Sequence, residues 1–132
     1  MTGGGPQRTT LSISSGPLVG PVLARVVGML AARADLPVDR LDDAVLVADS
    51  IAACAPAYVR DGQVVVAVDT APGGLELKVG PLQPGGGQSL LCDAAVPGVG
   101  NVVERLTDDI WTSQSDAEGG GEYLHLKVAT AS

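Results

Sequence analysis

Apolar positions alternate with polar ones over residues 8–14 (RTTLSIS), where Leu11 and Ile13 share a side, and this period of two predicts a first strand. After Gly16-Pro17 the period changes. Val19, Val22, Leu23, Val26 and Leu30 fall at helical spacing within residues 18–34, and Pro21 is admissible because it lies near the helix start. Val19 and Val22 are expected in the core. Asp35-Leu36-Pro37 is a turn, and a second helix is predicted over residues 39–55, with Asp39 as N-cap and Asp42 three residues on in the manner of a capping box. Leu41, Ala44, Val45, Ala48, Ile51, Ala52 and Ala55 form its buried face. Asp49 and Ala53 fall beside that stripe, and Pro56 ends or bends the last turn.

Alternation returns over residues 63–69 (QVVVAVD) and 75–80 (LELKVG). Asp61-Gly62 precedes them and Pro72-Gly73-Gly74 separates them, so the two read as an antiparallel hairpin. Residues 81–97, which hold Pro84 and Gly85-Gly86-Gly87, read as irregular or briefly helical. Residues 99–107 predict a short helix with Val99, Val102, Val103 and Leu106 toward the core. Residues 109–115 and 122–129 alternate as two last strands around an acidic, glycine-rich turn. The order strand, helix, helix, strand, strand, loop, helix, strand, strand lacks the regular alternation of a doubly wound sheet. It predicts an α+β two-layer sandwich, with helices on one face of a mixed, mostly antiparallel sheet. The single domain is placed at residues 9–130, behind a disordered tail of residues 1–8.

Composition narrows the function classes. The chain has 132 residues, 45% of them hydrophobic, enough for one real core. Aromatics are confined to Tyr58, Trp111 and Tyr123, so the core must be aliphatic. A net charge of −7 argues against a nucleic-acid surface, which needs clustered Lys and Arg. Cys54 and Cys92 have neither a CxxC spacing nor a His partner, so they predict free, mostly buried thiols rather than a metal site. No basic flank followed by an apolar run opens the chain, and the longest helical apolar stretch is broken by Gly20, Pro21, Arg25 and Gly28. A cytoplasmic protein is expected. His125, between Leu124 and Leu126, reads as a solvent-facing strand residue, and no Gly-x-Ser-x-Gly elbow supports a hydrolase triad.

Three segments bear on chemistry. In Leu41 to Ala53, an acid and a small residue, Asp49 and Ala53, stand one helical turn apart on one face. Val79-Gly80-Pro81-Leu82-Gln83-Pro84-Gly85 follows the third strand and leads into the glycine run. Gly98-Val99-Gly100-Asn101 precedes the short helix, where backbone N–H groups can face an anion. With the element order, and with Gly119-Gly120-Gly121-Glu122 before the last strand, these segments resemble the GHKL superfamily of ATP-binding domains over residues 9–129. The nearest group is the bacterial anti-sigma-factor serine/threonine switch kinases.

The resemblance implies a set of roles. Asp49 takes the place of the catalytic glutamate, with a carboxylate one methylene shorter. Ala53 takes the place of the asparagine that ligates magnesium, and a methyl group cannot ligate a hard cation. No aspartate occurs from Leu77 to Gln88 to recognise adenine. Gly85 and Gly86 fall in the lid, and Gly98 and Gly100 beside the phosphates. The implied function is regulatory: binding a sigma factor, a STAS-type antagonist or both, with homodimer formation open. ATP and magnesium belong to the family, yet no cofactor is expected here, because ATP binding is lost or weak. Two other readings remain: an active divergent kinase acting on a STAS-type antagonist, and an unrelated small α+β structural or oligomeric protein.

Overall fold

The computed structural model describes residues 7–14, 16, 18–60, 62–71, 74–93, 95–96, 100–114 and 121–129. The chain runs β1 (Gln7–Ser14), α1 (Val19–Arg33), α2 (Val38–Cys54), a 3-10 turn (Ala55–Ala57), β2 (Gln63–Ala71) and β3 (Gly74–Leu82). It continues through α3 (Gly86–Asp93), β4 (Ala95–Val96), β5 (Gly100–Asn101), α4 (Val102–Leu106), β6 (Asp109–Gln114) and β7 (Glu122–Ala129). Five strands form one sheet in the order β1-β2-β3-β7-β6, and β4 pairs with β5 in a separate two-stranded ladder. The α+β class is as expected.

Every pairing in the five-stranded sheet is antiparallel, which corrects the expected mixed sheet. The connection between β1 and β2 explains it. One crossover helix would return the chain parallel, but two antiparallel helices carry it back and forth, so β2 starts at the end where β1 stopped. Val68, Leu77 and Leu126 are opposed in register across β2, β3 and β7, and all three are fully buried. Their neighbours Ala67, Lys78 and His125 point to the other face.

The four helices α1 to α4 pack on the same side. Val19, Leu23 and Val27 of α1, Val47, Ala48 and Ile51 of α2, Leu90 of α3 and Val103 of α4 join Val64, Val66, Leu75, Leu124 and Val128 in one aliphatic core. The α1–α2 pair approaches closely at two glycines. A Cβ on Gly28 would sit 3.5 Å from Val45, and one on Gly20 would sit 4.0 Å from the Cβ of Ala52.

Three expectations change in detail. Val19 is in the core, but Val22 is exposed, because α1 meets the sheet through the row at 19, 23, 27 and 30. On α2, Val47 is fully buried although it lay outside the expected stripe. That helix also starts one residue early, with Pro37 in the N-cap position and no side-chain cap. Pro37 fixes an extended backbone and its carbonyl accepts the Leu41 N–H at 2.8 Å, so Asp39 sits inside the first turn and no capping box forms. The briefly helical reading of residues 81–97 agrees with the eight-residue α3 found there.

Candidate functional site

Asp49 is exposed on the flank of α2 that turns toward α1. Its Oδ1 lies 3.7 Å from where a Cβ on Gly20 would stand, and Ala53, four residues on, is exposed as well. The other flank of α2, toward the segment after α4, carries Arg40, Asp43 and Val47. Arg40 donates from Nη1 to Asp43 at 2.9 Å, from Nη2 to Asp108 at 2.5 Å and from Nε to the Ala129 carbonyl at 3.0 Å. Asp108 also accepts the Ala129 N–H at 2.7 Å. An acid on this flank is thus engaged by an arginine, and one turn further the side chain is the buried aliphatic Val47.

The glycine run lies elsewhere, at the start of α3. Gly85 has a φ of +76°, which places it in the left-handed region and turns the chain into the helix. Its N–H donates to Glu122 Oε1 at 3.2 Å, and the Gly87 N–H donates to Oε2 at 2.8 Å. Gln114 Nε2 adds a third donor to Oε1 at 3.2 Å. Glu122, at the start of β7, is only 8% exposed. A helix N-terminus with free N–H groups is an oxyanion cradle, and here the chain's own carboxylate fills it. The fit is close: a Cβ on Gly87 would stand 2.8 Å from Oε2 and 2.9 Å from Thr112 Cγ2, and one on Gly86 would stand 3.1 Å from the Leu82 Cβ. These contacts give Gly86 and Gly87 a packing role whatever else they do.

Of the residues singled out in the sequence, Gly85 and Gly86 are brought together with Tyr58, Leu82 and Glu122, whereas Asp49 is held against Gly20. Gly100 belongs to β5, opposite Val96. Gly98 lies outside the described residues. In the sequence Glu122 only closes a glycine-rich stretch, and nothing local pairs it with residues 35 and 37 positions earlier.

The sheet face away from the helices holds the other polar cluster. The Trp111 and His125 rings stack at 4.9 Å, only 10° from parallel. His125 Nε2 is 2.7 Å from Ser113 Oγ, and its Nδ1 is 3.5 Å from Glu76 Oε2. The Lys78 ammonium stands 4.7 Å over the Tyr123 ring. His125 is therefore covered by neighbours, with a side chain only 12% exposed, which corrects the solvent-facing reading. Serine, imidazole and carboxylate occur in the order of a nucleophile chain, but they lie flat across β6, β7 and β3 with Trp111 over the ring. That geometry is a cross-strand polar contact rather than a cleft.

Arg8 spans β1 to β2 with a two-pronged contact to Asp69, at 2.6 and 2.9 Å. Hydrogen bonding from Arg8 holds the Asp69 carboxyl below the ordinary carboxylate range, against a smaller opposing effect of burial. Among the described residues no group of three or more His, Cys, Asp or Glu is placed to hold a metal ion. Cys54 and Cys92 form no disulfide, but Cys54 is only half-buried and Cys92 is exposed on α3, which corrects the expectation of buried thiols. No helix among the described residues is long and apolar enough to cross a membrane. No family model matches the chain, and no curated protein matches it significantly in sequence.

Proposed function

We propose that the chain is a regulatory protein-binding module of the GHKL type, similar to the anti-sigma switch kinases, that acts in the cytoplasm without turning over nucleotide. Two helices after the first strand, a hairpin, a glycine turn and two closing strands support the kinship. The observation that carries the loss of chemistry is Glu122. Its carboxylate occupies the N–H groups that open α3, in the segment that the resemblance gives to the lid, so those donors are closed to a nucleotide. Asp49 adds to this reading, because it lies against α1 and its neighbour one turn on is Ala53. What remains is surface, and a partner-switching role needs surface rather than turnover. The edge strand β1 is eight residues long, with neither proline nor lysine to block pairing, so it offers a backbone edge to a sigma factor or a STAS-type antagonist.

Calorimetric titration with Mg·ATP tests the nucleotide half. The expected outcome is no affinity tighter than the millimolar range, about −4 kcal/mol. Tight magnesium-dependent binding, or transfer of phosphate to a serine of a STAS protein, would restore the active-kinase reading. Titration with a purified sigma factor or STAS protein tests the binding half. Thr10→Pro in β1 should abolish that complex while far-ultraviolet ellipticity stays unchanged.

A further inference from the structure

We infer that the outer faces of α1 and α2 form one docking surface, and that its occupant is the same helix pair of a second copy of this chain. Each helix turns its core row toward the sheet and leaves one row outside, at the three- and four-residue spacing of a single helix face. On α1 and its flanking residue that row is Leu18, Val22, Arg25, Met29, Arg33. On α2 it is Val38, Asp42, Leu46, Asp49, Ala53. All ten are exposed.

The apolar members of these rows call for a cover. Six large apolar side chains are exposed among the described residues, and five of them, Leu18, Val22, Met29, Val38 and Leu46, stand here. Leu18 is 66% and Val38 77% exposed. Scattered singly such side chains are ordinary; gathered on one two-helix face they mark a contact surface.

Charge selects the occupant. Helix α1 has Arg25 and Arg33 and no acid. Helix α2 has Asp39, Asp42, Asp43 and Asp49, and its one base, Arg40, is engaged by Asp43 and Asp108. Arg25, Arg33, Asp42 and Asp49 join no ion pair among the described residues. A uniformly acidic or basic partner would satisfy one helix and be repelled by the other. The surface that complements a basic helix beside an acidic one is the same pair turned over.

The levels of the two helices agree with that choice. They are set by Gly28 beside Val45 and Gly20 beside Ala52. A two-fold axis along the groove between α1 and α2 keeps these levels. It lays α1 of one copy antiparallel on α2 of the other, as in a four-helix bundle. Arg25 then falls on Asp49, Met29 on Leu46 and Arg33 on Asp42, each within about 3 Å along the helix and each twice by symmetry. Asp49 leans toward the axis, against Gly20, and the Arg25 of the other copy stands beside it. The two helices are about 22 and 25 Å long and together about 20 Å wide. Two such faces bury about 1,000 Å², enough for a weak but specific dimer.

Sedimentation equilibrium of the intact chain is the test. The expected mass is twice 13.2 kDa. Arg25→Asp sets two carboxylates together at the Asp49 contact, and Asp49→Arg sets two guanidinium groups together there. Both positions are exposed on helices, so the fold should hold. Each variant alone should dissociate at least about tenfold more readily. An equimolar mixture of the two should recover the dimer, because each then supplies what the other lacks. A monomeric wild type at hundred-micromolar concentration overturns the inference. So does a dimer that neither variant weakens, since its contact then lies on another face. Should a variant fail to fold, the wild type still decides: the Met29 methyl resonance must shift as protein concentration rises, and an unmoved resonance overturns the contact.

Discussion

Glu122 carries its carboxylate into a place almost closed to water, and it is tolerable there because Gly85, Gly87 and Gln114 all donate to it. Glu122→Ala leaves three donors without an acceptor and should cost about 1–3 kcal/mol in urea unfolding, with faster amide exchange at Gly87. Two glycine substitutions should differ in sign. Gly87→Ala drives a methyl into the carboxylate and Thr112 and should destabilise by about 1–3 kcal/mol. Gly20→Ala meets only ordinary contacts at 3.7 and 4.0 Å inside a helix, and should be neutral or stabilise by up to about 1 kcal/mol. Equal losses at both sites, by the same urea measurement, would contradict the packing described. At this scale the sequence was legible only locally. The glycine run announced a turn, but its occupant stands on a strand that enters 35 residues later. Asp49 was legible as a helix-flank acid; that its flank faces α1 depended on how the two helices pair.

Among the elements, α2 is tied to the end of the sheet by Arg40, whose guanidinium joins Asp43, Asp108 and the Ala129 carbonyl while only 20% exposed. Arg40→Met keeps the apolar stem and removes every donor. It should cost about 2 kcal/mol, read from the shift of the urea midpoint. The edge strand β1 is tied by Arg8 to Asp69, and this tie is pH-dependent. The Asp69 carboxyl titrates below its ordinary value in the folded chain, so its contribution is whole at neutral pH and is lost as pH falls through the lowered value. Wild type should therefore be more stable than Arg8→Gln at pH 7, and the gap should close below about pH 4. Because Arg8 is largely exposed, the gap itself should be small. Strands were the most legible elements, because a period of two survives without knowledge of neighbours. The start of α2 was not, since Pro37 set it by backbone geometry where Asp39 had the preferred capping chemistry. Nor was the all-antiparallel sheet, which follows from where two helices set the chain down.

For the molecule as a whole, the aliphatic composition forecast one core and the structure has one, shared by α1 to α4 and one face of the sheet. The open face of the sheet, away from the helices, was not legible, because its cross-strand neighbours exist only once five strands are in register. The same composition has a spectroscopic consequence. No aromatic ring is among the fully buried core residues, and Trp111 sits on the open face against an imidazole. The interior is therefore silent in tryptophan emission, which reports the sheet surface and not the packing beneath it; of the three aromatic rings only Tyr58 packs against the core. A loosened core with intact strands would keep its tryptophan signal, and the methyl resonances of Val, Leu and Ile would register the change.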